Sequence, residues 1–100
     1  MELTTTVEGT SATVALDGKL TVSSAPALEV ELKSIPEGVN NISLDLSSLD
    51  YVASAGLRVI VSASKRYCSA GGSFKLLHPN EEVMEVLDAT GLVEILNIEA

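Results

Sequence analysis

Leu44-Asp45-Leu46-Ser47-Ser48-Leu49-Asp50-Tyr51-Val52-Ala53-Ser54-Ala55-Gly56-Leu57-Arg58 is the stretch that decides how this chain is read. Over residues 40–46, Ile42, Leu44 and Leu46 alternate with Ser43 and Asp45, the period-2 pattern of a strand with one buried face. The polar residues after it read as a tight connection. Ala53-Ser54-Ala55-Gly56 then makes a small-residue corner that opens directly into a helix. Leu57, Ile60, Val61, Ser64 and Cys68 share one face of that helix, while Arg58, Ser62, Lys65, Arg66 and Ser69 fall largely elsewhere. Ser54 stands at the mouth of the helix. Its hydroxyl is placed to act as a cap, an interaction worth ~0.5–2 kcal/mol. It is equally a place where a kinase can install a phosphate. The small neighbours leave it uncovered, and Gly56 allows close approach of another backbone or of a partner.

Working outward, residues 1–8 and 11–17 read as a hairpin. Leu3, Thr5 and Val7 alternate on one strand, Ala12, Val14 and Leu16 on the other, and Gly9-Thr10-Ser11 supplies the turn. Gly18 then ends the strand, and Lys19-Leu20-Thr21 crosses to a helix over about Ser24–Ser34, with Ser23 or Ser24 as cap and Pro26 in its first turn. Leu28, Leu32 and Ile35 form its apolar stripe. Beyond the corner helix, Gly71-Gly72 provides a helix end. Ser73–Leu77 reads as a short strand, and Asn80 as the cap of a third helix that buries Val83, Val86 and Leu87 and stops at Gly91. Residues 92–98 suit a half-turn or a last strand. The order β-β-α-β-α-β-α predicts an α/β domain with a largely parallel central sheet and right-handed crossovers.

The chain has 100 residues and a formal net charge of −8, which fits one domain. Its 3% aromatic content makes the core aliphatic. The acidic balance disfavours nucleic acid and anionic membrane as partners and favours a partner with a basic surface. The first fifty residues carry net −6 and the last fifty net −2, because the corner helix holds Arg58, Lys65 and Arg66, half of all the cations. Cys68 is the only cysteine, so no intrachain disulfide forms. Met1-Glu2-Leu3-Thr4 lacks the basic and apolar regions of a signal peptide, and no apolar run approaches the ~18 residues of a membrane span. A soluble, cytoplasmic protein is expected.

The catalytic inventory is thin. His78, the only histidine, stands beside Pro79 in a connection and reads as a surface loop residue. Cys68 reads as core. Glu81, Glu82 and Glu85 read as a solvated helix face rather than metal ligands, and the glycines fit no nucleotide fingerprint. No enzyme activity, metal or cofactor is expected.

Taken together, these residues resemble an anti-sigma factor antagonist, a single STAS domain spanning residues 1–100. The strand and corner are similar to that family's pattern of an Leu-Asp-Leu-Ser strand, a hydrophobic pair and an Asp-Ser-Ser-Gly-Leu corner. Leu16-Asp17-Gly18-Lys19-Leu20, Ala25-Pro26-Ala27-Leu28 and Ala89-Thr90-Gly91-Leu92 support the likeness. The resemblance implies a STAS-type α/β fold: a central mixed, mostly parallel β-sheet with α-helices packed on it. It also implies a partner switch. The unphosphorylated domain binds an anti-sigma factor that is also a GHKL-type serine kinase, and so releases the sigma factor. Phosphorylation of the corner serine breaks the complex, and a PP2C-type phosphatase restores it. The matching position is Ser54. The implied partner-binding residues are Ser54, Ala55, Gly56 and Arg58, with Thr21, Val22 and Ser23 from the neighbouring connection. Three positions depart from the family pattern. Ala53 and Thr21 stand where an Asp is frequent, and Ala55 replaces the second corner serine, which leaves Ser54 as the sole hydroxyl there. A second reading therefore stays open, a constitutive STAS scaffold or transporter-associated adaptor not regulated by phosphorylation.

Overall fold

The computed structural model describes residues 1–99. Strands β1 (Glu2–Glu8) and β2 (Ser11–Leu20) form the antiparallel hairpin. Strands β3 (Asn41–Val52), β4 (Ser73–Leu77) and β5 (Asn97–Glu99) add to it in parallel, giving a five-stranded sheet in the order β1-β2-β3-β4-β5. The connections are α1 (Ala25–Lys33), α2 (Ser54–Ser69) and α3 (Glu81–Ala89), the last followed by a 3-10 turn at Leu92–Glu94. The mixed, mostly parallel α/β architecture expected from the sequence is the one observed. Residues 92–98 hold both the turn and the start of β5.

Ala12, Val14 and Leu16 of β2, Ile42, Leu44 and Leu46 of β3, and Phe74 and Leu76 of β4 point to one face of the sheet and are buried. Leu28, Leu32, Leu57, Ile60, Val83 and Leu87 from the helices close that layer. On the other face, Thr13, Ala15, Ser43, Asp45, Lys75 and Leu77 are only half-buried. Parallel neighbours joined by right-handed crossovers put their helices on one side of a sheet, and the burial pattern follows that rule.

Two expectations are corrected. β2 does not end at Asp17 but continues through Gly18 to Leu20, and β3 does not stop at Leu46 but continues to Val52, where Leu20 pairs with Val52. The cause is a pair of β-bulges. Ala15 faces Asp45 but Asp17 faces Ser48, and Gly18 faces Leu49 but Lys19 faces Tyr51, so β3 twice uses one residue more than β2. Its buried positions therefore run Ile42, Leu44, Leu46, Leu49, Val52, with the spacing widening from two to three. Ser47-Ser48 and Asp50-Tyr51 are the paired exposed residues that this widening produces, and they imitate a loop in the sequence. Bulges also increase local twist.

Asp45 steadies the first bulge by accepting a hydrogen bond from the Ser47 amide at 3.0 Å. That bond, a second from the Ser47 hydroxyl and the nearby His78 charge hold the Asp45 carboxyl below its ordinary value of 3.8, against a smaller opposing effect of burial. A depressed folded-state pKa contributes stability that is complete above the unfolded value and is lost as pH falls through the folded one. Asp45→Asn is therefore expected to be less stable than the parent at neutral pH, with the gap closing in acid below about pH 4. Urea midpoints measured across that range check it. A gap that persists unchanged at the acid end refutes a role for the carboxylate charge.

At the far end of α2, Gly71 has a left-handed φ of 85, and the amides of Gly71 and Gly72 donate to the carbonyls of Cys68 (3.2 Å) and Tyr67 (2.9 Å). This is a Schellman ending. Cys68 is exposed, not core as expected. The buried face of α2 runs Gly56, Leu57, Ile60, Ala63, Ser64 and ends one turn before Cys68. Asn80 caps α3 as expected, its Oδ1 accepting from the Val83 amide at 2.8 Å, and its Nδ2 donates to the Leu49 carbonyl at 3.0 Å, tying α3 to the bulged part of β3. Asn80→Ala loses both bonds and is expected to cost about 1–2 kcal/mol, read as a lowered melting temperature. Asn80→Ser, which can keep the cap but not the tie, should recover part of the loss.

Candidate functional site

The corner is set by where the β-ladder stops. The Ala53 amide still donates to the Leu20 carbonyl at 2.8 Å, so Ala53 keeps extended dihedrals (φ −92, ψ 166). Ala53, not Ser54, is therefore the N-cap of α2, and its carbonyl accepts the first helical bond from Leu57 at 3.0 Å. This corrects the expectation of a capping Ser54. The serine is the first helical residue, it is exposed, and α2 has no side-chain cap.

Gly56 is buried. A Cβ built there would overlap the Leu20 side chain, lying 2.6 Å from Cδ2 and 3.4 Å from Cγ2 of Val52. The missing side chain thus makes room for the last residue of β2 beneath the helix, rather than for an incoming partner. Gly56 holds the corner down from below.

Beside the corner runs the connection from β2 to α1. Ser24 occupies the N-cap position of α1, but its hydroxyl does not cap that helix as expected. It donates to the Lys19 carbonyl at 2.9 Å and accepts from the Thr21 amide at 2.8 Å. The Ser23 amide donates to Thr21 Oγ1 at 3.2 Å. These bonds turn residues 19–24 into a fixed knuckle, and they leave Val22 73% exposed.

Val22 lines a groove between α1 and α2 together with Pro26, Val30, Ala55, Arg58, Val59 and Glu29, whose carboxylate is paired with Lys33. The structure therefore brings Val22, Ala55 and Arg58 together. Ser54 lies on the opposite flank of α2, along a depression that it shares with Arg58, Leu57, Val61, Lys65 and Leu92. Thr21 faces a separate depression with Lys19, Asp50, Tyr51 and Asn80. Ser23 is exposed on the knuckle between these regions. Val30, 65% exposed, is, like Val59, a groove residue not expected from the sequence. Its signal was present: an aliphatic residue of α1 outside the Leu28–Leu32–Ile35 stripe.

Electrostatically the corner is the cationic part of an acidic chain. The two ion pairs among the described residues, Lys33–Glu29 and Lys75–Glu99, do not involve Arg58. His78 is exposed in a connection, with a left-handed φ of 54 and its amide donating to the Glu99 carbonyl. No helix among the described residues is long and apolar enough to cross a membrane.

The STAS domain family model matches residues 3–100. An anti-sigma-B factor antagonist of Bacillus subtilis is 34% identical over 87 residues, covering 87% of this chain and 80% of the relative. A Bordetella bronchiseptica protein assigned as an anti-sigma factor antagonist, BtrV, is 33% identical over 84 residues, covering 83% and 72%. The crystal structure of a Thermotoga maritima protein assigned as an anti-sigma factor antagonist superimposes with a TM-score of 0.88 at 29% identity, covering 98% of this chain and 86% of that one.

Proposed function

The chain belongs to the STAS domain family, and we propose that it acts as an anti-sigma factor antagonist switched by phosphorylation of Ser54. Unmodified, it binds an anti-sigma factor that is also a GHKL-type serine kinase, and the sigma factor is released. The kinase phosphorylates Ser54 and the complex parts; a PP2C-type phosphatase resets the chain. The chain is a binding module in this scheme, and the chemistry belongs to its partners.

One observation carries the reading. Ser54 is exposed at the first position of α2, with no capping duty, beside a knuckle that presents Val22 and a groove that contains Arg58. A hydroxyl with no structural task, exposed beside Arg58 and Lys65 and across α2 from the Val22 groove, suits modification. The names of the similar proteins support the same reading.

The test is direct. Incubated with a candidate anti-sigma kinase and ATP, the chain is expected to gain a single phosphate by intact mass, and Ser54→Ala to gain none. Because Ser54 is not the N-cap, Ser54→Ala should change stability by no more than about 0.5 kcal/mol, as surface substitutions do. A kinase that binds the chain tightly but never modifies it would favour the constitutive scaffold.

A further inference from the structure

Arg58 is the one charged side chain that lines both surfaces at the corner, the depression holding Ser54 and the α1–α2 groove holding Val22; uncharged Ser62 is the other residue the two share. It is exposed, and no acidic side chain pairs with it among the described residues. It follows Ser54 by four residues, about 6 Å of helical rise, on the neighbouring row of the same helix face. The depression it shares with Ser54 carries a second cation, Lys65, and no carboxylate. Lys65 is eleven residues from Ser54, about 16 Å along the axis, beyond the reach of a group attached there.

Resting on the phosphorylation reading above, we infer that Arg58 is a shared cation whose position the phosphate controls. In the unmodified chain the guanidinium borders the α1–α2 groove, where it can meet a carboxylate of the bound anti-sigma factor. A phosphate on Ser54 offers a closer dianion, and a guanidinium forms paired, charge-assisted hydrogen bonds to phosphate. The modification then does two things at once. It places negative charge at the corner, and it withdraws the groove's cation from the partner.

The experiment needs neither kinase nor partner, so its outcome is separate from that of the phosphorylation reading. Phosphoserine is installed at position 54 during synthesis, and the phosphate is titrated by phosphorus NMR in the otherwise unaltered chain, in Arg58→Gln and in Lys65→Gln. The second ionisation, ordinarily near pH 6, is expected about half a pH unit or more lower in the parent than in Arg58→Gln, the scale set by a charged hydrogen bond. Lys65→Gln should titrate like the parent, and the Arg58 Nε–H signal should shift on phosphorylation in both of those chains. Identical titrations in parent and Arg58→Gln overturn the inference. So does a shift that follows Lys65 instead. If the Arg58 effect is seen yet no kinase ever modifies Ser54, the pairing stands and the proposed regulation falls.

Discussion

Phosphorylated at Ser54, the chain is expected to bind its anti-sigma factor at least about a hundredfold more weakly, with its melting temperature almost unchanged. The two halves of that expectation have different origins. A phosphate brings about −1.5 to −2 charge at neutral pH. On the free domain it sits on the exposed first residue of α2, where the helix amides favour an anion by ~0.3–1 kcal/mol. The fold therefore has no reason to loosen. In the complex the same dianion must be desolvated against a surface built for a neutral hydroxyl. A hundredfold loss needs only about 2.8 kcal/mol, and desolvating a dianion that a single guanidinium compensates only in part exceeds that. Ser54→Asp, with a single and shorter charge, should show the same sign and a smaller effect. Calorimetric titration of both forms, with thermal melts beside it, measures the two halves separately. Equal affinities remove the switch. A large fall in melting temperature on phosphorylation replaces it with an unfolding mechanism.

The second large effect lies away from the corner. Gly72→Ala is expected to lower stability by about 1–3 kcal/mol, the cost of overpacking, or roughly 10 °C in melting temperature for a domain of this size. A Cβ at Gly72 would overlap the carbonyl oxygen of Asn40 and lie 2.9 Å from its carbon. That carbonyl cannot swing aside, because it accepts the Ser73 amide at 2.9 Å where β4 joins the sheet. Gly71→Ala is the control. It meets no atom within 4 Å and bears only the left-handed φ of 85, a penalty of about 1–2 kcal/mol. If Gly72→Ala melts no lower than Gly71→Ala, the packing of the turn against Asn40 is not what requires the second glycine.

Most of the architecture was legible in local patterns. The β4 boundaries, the α1 stripe through Leu28 and Leu32, and the Asn80 cap follow from alternation, helical spacing and a short polar side chain before an apolar run. Most of the errors share one cause: they required knowing which of two hydrogen-bond partners a backbone or hydroxyl would choose. Cys68 is a different case, a helix position at the apolar spacing but beyond the buried face. Ser47-Ser48 and Asp50-Tyr51 look like a loop until β2 is known to run alongside them. Ser54 looks like a cap until the Ala53 amide is known to reach Leu20, and Ser24 until its hydroxyl is known to turn back to Lys19. At the candidate site, the sequence pointed to the corner and the connection beside it, but it could not show that Val22 and Arg58 border one groove while Thr21 faces elsewhere. Nor could it show Leu20 filling the space beneath Gly56. Those are tertiary facts without a local signature.

The two surplus residues of β3 give the chain slack at defined places. Removing one residue at Ser47-Ser48, or one at Asp50-Tyr51, would restore ordinary pairing with β2 while Leu49, Val52 and the corner kept their facing. The strand would lose curl, and Ser54 would change its aim rather than its place. The same deletion between Ile42 and Asp45 has no such reserve and would turn hydrophobic side chains outwards along the strand. Length variation of one residue is therefore absorbable just ahead of the corner and ruinous a few positions earlier.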